Sequence, residues 1–516
     1  MMNFSYCANS AINEDFVKFV DELKISNENQ YNFIKSCIDI FYGVNKKILL
    51  TASAGCGKTF IINKIVDQYK KFLENYSVEE LINKYSDYRN YHKYDVKNDI
   101  CDICKNEKLL NCNPNSIGCY RSIYNDVENI KKSNNCVIAA PTGIAAMLVS
   151  GITLYKLLNI RPDQIIDSKT KKYKLIDHIM MYISKSTFIK IRALKVLIID
   201  EISMVSKDFL ELVNEIIKRI RKSDLDFGGL SVIMIGDFCQ LAPVEKSNNV
   251  IYAFESEIFN NIELHIFTKC YRTSNEEFTN ILNEFRYGII QKHLLDNIIS
   301  KYNSIIEPND DEVSTTLVCT NAEADVINNS RLLNLSEKHH KIRKTIRIQS
   351  YHEDKKYVDN YIKELRLEKK IILCEGCHII VTKNIDEKVV NGTQGIVKKI
   401  NKDNILIEIH NGQLYELNMV DQYDEEGLKV FKYLPIKLAY AITCHKSQGM
   451  SIERLIIDFK NINMPGQAYT AISRSSNPVD GLYLINFPKN VLIAKKKIRC
   501  NPKVKNFYYE LLYNYE

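Results

Sequence analysis

The segment that most narrows the fold is Ile48–Phe60, ILLTASAGCGKTF. An apolar run meets two glycines, a lysine and a threonine, and the apolar spacing of FIINKIVDQYKKFL then predicts a helix. Strand, glycine-rich turn and helix N-terminus make an anion site. Backbone N–H groups of Ala54, Gly55, Cys56 and Gly57 cradle phosphates, Lys58 reaches the β and γ phosphates, and Thr59 holds Mg²⁺. The first glycine of the usual pattern is Ala52 here, at a position that needs only a small residue.

Other short apolar runs rich in β-branched residues precede turns and helical patterns: Cys136–Ala140, Val196–Ile199 and Val232–Ile235. Buried parallel strands read this way, each followed by a crossover. A second series follows residue 275, at Thr316–Cys319, His378–Val381, Leu455–Asp458 and Leu482–Ile485. The expectation is an α/β protein of two tandem lobes, 1–275 and 276–516. Three stretches break the rhythm. Residues 76–132 are polar, rich in Tyr, Asn and Lys, and carry four clustered cysteines; residues 161–190 can form a small protrusion. Residues 376–434 alternate in GIVKKI, NILIEIH and QLYELN, which predicts a small antiparallel barrel set into the second lobe.

A chain of 516 residues exceeds one ordinary core, and 45% hydrophobic residues can fill two. With no basic-then-apolar leader and no run of about 20 apolar residues, a soluble intracellular protein without a membrane partner is expected, in nucleus or cytoplasm. Fifteen scattered cysteines suit a reducing compartment. A net charge of +7 attracts polyanions mildly and identifies none.

VLIIDEISM places Asp200 and Glu201 at the end of an apolar strand. Asp200 can bind Mg²⁺ through water, and Glu201 can orient or deprotonate an attacking water, so the pair points to hydrolysis rather than nucleotide binding alone. In VIMIGDFCQLAPV, Gln240 can sense the γ phosphate.

Taken in order, GCGKT, APTGIAA, DEISM, GDFCQLAPV, AYAITCHKSQG and GQAYTAISR resemble the motifs of the Pif-type and RecD-type helicases of superfamily one, across nearly the whole chain outside 76–132. The resemblance implies two RecA-like P-loop NTPase lobes, with a small Src-homology-like β-barrel in the second and the cysteine-rich insertion in the first. It implies an ATP-dependent DNA helicase moving 5′-to-3′ in replication, recombination or repair, with ATP and Mg²⁺ as cofactors. The partners implied are single-stranded and forked DNA, with replication or repair proteins beside them, and the motor is expected to be monomeric.

By the same resemblance, Gln30 reads adenine, and Arg272 and Arg474 reach the γ phosphate from the second lobe as arginine fingers. Gln448 and Gly449 take the nucleotide-facing turn. Strand contacts fall to Pro141, Thr142, Gly143 and Thr153 in the first lobe and to Thr443, His445 and Lys446 in the second. Leu154 and Tyr155 stand where the family often has His; Tyr155 can stack on a base or lie in the core. Residues 161–190 match the place of a duplex-splitting wedge.

Cys101, Cys104, Cys112 and Cys119 form C-x2-C-x7-C-x6-C. Four thiolates can close a structural Zn²⁺ site; unliganded thiols in an insertion are the alternative. Two rival functions use the same motor parts: an RNA helicase, and an ATP-gated clamp or remodelling ATPase that does not unwind. Lys58, Glu201, Arg272 and Arg474, all present, favour a working motor. A small-molecule kinase would not need the second lobe.

Overall fold

A computed structural model of the chain describes residues 28–41, 44–75, 94–95, 100–101, 136–166, 173–243, 250–302, 314–365, 367–386, 388–409, 412–423 and 428–513. Its first sheet has six parallel strands: β1 Lys47–Ala52, β2 Cys136–Ala140, β3 Ile152–Thr153, β4 Val196–Ile199, β5 Ser231–Gly236 and β6 Glu263–Phe267, in the order β3-β2-β4-β5-β1-β6. Every residue of β4 and β5 is buried, because helices cover both faces of the sheet. Helices α1 Glu28–Phe41 and α2 Lys58–Asn75 share a core with β1 through Phe33, Ile34, Ile61 and Ile65.

On the other face lies α3, Lys207–Arg221, which buries Phe209, Leu210, Val213, Ile216, Ile217 and Ile220 at helical spacing. The Ser206 hydroxyl caps its start, and Lys222 in the left-handed region ends it. Each such side chain removed from water contributes roughly 1.5–3 kcal/mol.

The second sheet has four parallel strands, β7 Thr315–Val318, β13 Ala441–Thr443, β14 Leu455–Asp458 and β15 Leu482–Ile485, in the order β13-β7-β14-β15. Between β7 and β13 the chain makes a five-stranded antiparallel sheet of β8 His378–Val381, β9 Gln394–Ile400, β10 Asn404–Ile409, β11 Leu414–Asn418 and β12 Ile436–Leu438, in the order β11-β10-β9-β8-β12. This corrects one expectation. His378–Val381 belongs to the inserted antiparallel sheet, and Ala441–Thr443 takes the parallel position. His378–Val381 is buried at all four residues, so its apolar run reads like a parallel strand.

Helix α4, Glu276–Tyr287, is capped by Asn275 and stopped by Gly288 at φ 62°; α5 is Gln467–Ile472 and α6 is Pro502–Tyr513. Although α6 ends the chain, it packs on the first lobe. Phe507 stacks on Phe254 at 4.2 Å, and the Tyr508 hydroxyl meets Thr51 Oγ1 at 2.7 Å.

Residues 161–190 hold the short helices Pro162–Ile165 and Ile176–Met180 and the start of Lys185–Ala193, with Leu175, Met181, Tyr182 and Ile189 exposed. Among the described residues, no helix is long and apolar enough to cross a membrane. Cys101 ends a two-residue strand paired with Tyr94–Asp95, while Cys104, Cys112 and Cys119 lie outside the described residues.

Candidate active site and strand-binding loops

The turn after β1 is built on positive φ, with Gly55 at 81° and Gly57 at 79°. A Cβ on Gly55 would lie 2.6 Å from Arg272 Cβ, so only glycine lets the two backbones approach this closely. Lys58, the first residue of α2, donates from Nζ to the carbonyls of Ala52 at 2.8 Å and Ser53 at 3.1 Å. Thr59 follows, half-buried; Ala54 and Cys56 are buried, and burial pushes the Cys56 thiol up to about 11. Gln30 on α1 is buried, and its Oε1 accepts from the Tyr271 hydroxyl at 3.4 Å. The Tyr271 N–H donates to Gly55 O at 2.8 Å, and its ring is half exposed beside Gly57. Sequence reading missed Tyr271, although it directly precedes Arg272.

Strand β4 delivers the carboxylates. The Asp200 N–H donates to Ala139 O at 2.8 Å, tying β4's end to β2, and Glu201 turns back at φ 51°. Burial, with Glu201 adding to it, pushes the Asp200 carboxyl up to about 7. Burial also raises Glu201, opposed by the positive charges of Lys58, Arg474 and Arg272. Glu201 Oε2 is buried without a hydrogen-bond partner among the described residues. Two adjacent carboxyls at the strand end, with one buried oxygen orphaned, suit a hard divalent cation with oxygen ligands.

Arg272 follows β6 of the first sheet, ahead of α4, whereas Arg474 follows α5, between β14 and β15 of the second sheet. Arg272 Nε donates to Ser451 Oγ at 3.0 Å, and its Nη1 bonds Ser473 O. Burial, and next the like charge of Arg474, work against its charge. Arg474, just beyond α5, is 2% exposed; it donates to Thr470 O at 3.0 Å, Ser473 Oγ at 2.9 Å, Ser447 O at 3.4 Å and Gln240 Oε1 at 3.4 Å. Gln240 therefore touches the arginine that the same motif set predicted. Gln448 is buried with both amide atoms unpartnered among the described residues. A Cβ on Gly449 would meet Leu148 Cδ1 at 2.4 Å, which puts this glycine against the helix Gly143–Leu148.

A buried group that sequence reading did not single out lies behind the phosphate loop. Asp237, one residue past β5, accepts from Arg286 of α4 at 3.1–3.3 Å, from the Tyr469 hydroxyl at 2.9 Å and from the Tyr508 hydroxyl at 3.4 Å. Burial works against its charge, but Arg286, Lys58 and Tyr469 outweigh burial and hold the carboxyl below its usual range. The signal was present in GDFC: an acid one residue past an all-apolar strand needs a cation.

Among the loop residues, Pro141 and Thr142 are half-buried and Gly143 opens the helix. Three threonines do one local job. Thr142 Oγ1 accepts from Ala145 N–H, Thr153 from Lys156 N–H and Thr443 from Lys446 N–H. A hydroxyl used as an acceptor in this way retains its proton for donation to a phosphate oxygen. His445 and Lys446 are half-buried, and burial lowers His445 toward the neutral form. Tyr155 stacks on Phe209 at 4.7 Å, so one face of its ring is committed to the core.

The model of the PIF1-like helicase family matches residues 119–294. The chain is 30% identical to the ATP-dependent DNA helicase Pif1 of Campylobacter jejuni over 385 residues, 68% of this chain and 83% of that one. Its identity to the Pif1 of Bdellovibrio bacteriovorus is 28%, covering 72% and 81%. Against the yeast helicase RRM3 it is 27% identical and spans 63% of the relative's length. Among solved structures it resembles Bacteroides sp Pif1 in complex with ADP-AlF4, at TM-score 0.66 and 22% identity over 95% of this chain and 98% of that one. The two parallel sheets thus take the fold of the RecA-like lobes.

Proposed function

This chain belongs to the PIF1-like helicase family, and from that premise we infer that it is an ATP-dependent DNA helicase that tracks single-stranded DNA in the 5′-to-3′ direction and opens forked duplexes. The observation that carries the reading is convergence. Lys58, Arg474 and Arg272, from three separate segments of the chain, all act on the charge of the Glu201 carboxyl, and Arg272 is tied to the second lobe through Ser451 and Ser473. Gln240 joins the two sides through Arg474.

ATP binds with its phosphates on the N–H groups of residues 55–59 and its base near Gln30; the Ala54 N–H, given to the Tyr469 hydroxyl, supports the cradle from behind. Thr59 and Asp200 would hold Mg²⁺, which would supply charge neutralisation to the phosphates. Glu201 accepts the proton of the attacking water, and the two guanidiniums stabilise charge as the γ phosphoryl departs. Loss of that phosphate removes the attraction that closes the cleft. The loops at 141–143, 153 and 443–446 then shift relative to each other, which gives a step along the strand.

The protrusion at 161–190 is read as the wedge, with Leu175, Met181 and Tyr182 exposed where a base pair would meet it. The sheet β8–β12 is read as the small barrel of the second lobe, and residues 1–275 and 276–516 as the two lobes. Cys101, Cys104, Cys112 and Cys119 are read as a structural Zn²⁺ site on spacing alone; metal analysis of the purified protein tests it, one zinc per chain being the supporting result.

The deciding experiment compares ATP-dependent unwinding of two matched duplexes, one with a 5′ single-stranded tail and one with a 3′ tail. Unwinding of the 5′-tailed substrate alone supports motor and direction. Unwinding of the 3′-tailed one alone overturns the direction, and DNA-stimulated hydrolysis without unwinding favours the clamp.

A further inference from the structure

Tyr469 is buried at 1% exposure in α5, where phosphate binding and hydrolysis require no phenol. Its hydroxyl oxygen accepts from the Ala54 N–H at 3.0 Å and donates to Asp237 Oδ2 at 2.9 Å. A phenol has one proton. Asp237, held as a carboxylate by Arg286, can only accept, so the Tyr469 proton is committed to it and a phenolic lone pair faces Ala54. Donation therefore converges on Asp237 from both sides, from Arg286 directly and from Ala54 through the Tyr469 hydroxyl.

Ala54 occupies a sensitive place. The carbonyls before it, of Ala52 and Ser53, hold Lys58, and the carbonyl after it, of Gly55, accepts from Tyr271. Gly466, directly before α5, sits at φ 75° with no room for a Cβ, which would lie 2.3 Å from Gln240 O. The short helix is thus clamped on the Gln240 turn at one end, carries Tyr469 in its middle, and leads to Arg474 at the other.

We propose that Tyr469 is a positioning residue of the phosphate loop: by holding the Ala54 N–H from the second lobe, it makes the shape of the phosphate cradle depend on the seating of Arg474. Cradle and arginine are then set by one movement of α5, which deepens the reading of the site as an ATP-hydrolysing centre and rests on it.

Tyr508 is the internal control. Its hydroxyl also faces Asp237, at 3.4 Å, but its other partners are Thr51 Oγ1 and the Phe238 N–H. Tyr469→Phe and Tyr508→Phe in the full chain each remove one buried hydroxyl on the same carboxylate. For Tyr469→Phe, kcat of DNA-stimulated ATP hydrolysis is expected to fall about tenfold with KM for ATP within about threefold. Affinity for fluorescent mant-ADP with aluminium fluoride should fall about tenfold, and for mant-ADP alone hardly at all. Tyr508→Phe should lower the unfolding temperature as much as Tyr469→Phe does while keeping kcat within about twofold.

Equal kcat for the two variants would overturn the proposal, because Tyr469 would then act only through stability. If the wild-type protein hydrolyses no ATP with DNA present, the helicase reading fails, and the aluminium fluoride comparison alone decides Tyr469.

Discussion

Arg474 Nη2 lies 3.4 Å from Gln240 Oε1, across 234 positions of sequence. The guanidinium donates and the amide oxygen accepts, so a residue in the turn after the first lobe's fifth strand holds the arginine of the second. A change in phosphate occupancy that moves either one moves the other. Gln240 and Arg474 should therefore behave as a unit. Gln240→Ala and Arg474→Ala are each expected to lower kcat, Arg474→Ala by about 10³ as the loss of an arginine finger. The double variant should lose less than the two single losses combined, with a coupling of about 0.5–3 kcal/mol. Steady-state hydrolysis on single-stranded DNA measures it; strict additivity would mean that the contact carries nothing.

Lys58→Ala should abolish nucleotide-driven activity. Glu201→Gln should still bind ATP yet hydrolyse it at least about 10²-fold more slowly, because the amide cannot take the water's proton. Filter binding beside phosphate release separates the two steps, and unchanged turnover in Glu201→Gln would remove it as the base.

Asp200 supplies a pH dependence with a definite sign. Burial pushes its carboxyl up to about 7, so folding favours the protonated form. Its contribution to stability is complete below the ordinary carboxylate value of about 4 and is lost as pH rises through about 7. Cation binding needs the ionised form. Affinity for Mg²⁺–nucleotide is therefore expected to rise between about pH 5.5 and 8, while thermal stability without cation drifts down. Calorimetric titration across that window checks the first trend, and a flat profile would contradict it. Asp200→Asn should remove both trends.

Arg286 and Asp237 are 6% and 0% exposed, so breaking their pair strands a charge in the core. Arg286→Met is expected to cost about 3–5 kcal/mol, and Asp237→Asn on top of it should return part of that. Thermal unfolding of both variants reads this directly. No recovery in the double variant would show that the loss came from packing of the guanidinium on Tyr287 and Tyr508, which it faces at 5.2 and 5.1 Å.

Much of the site is local in the chain. The phosphate loop, the Asp200–Glu201 pair and the strands Val196–Ile199, Leu455–Asp458 and Leu482–Ile485 are short contiguous patterns whose physics is complete within about a dozen residues. Strand burial on both faces, a left-handed glycine and a helix start leave marks at fixed spacing. Arg272 and Arg474 were named only through a family resemblance, since an arginine carries no local mark of what it will face.

What the sequence determined by itself was chemistry: which residues can bind phosphate, take a proton or hold a cation. What only the tertiary structure decided was pairing over distance. Tyr469 meets Ala54 across 415 positions, Tyr508 meets Thr51 across 457, and Tyr155 lies on Phe209. Each depends on how strands are ordered and where helices return, and that order is chosen by the burial of the whole core, in which no single segment contains both partners.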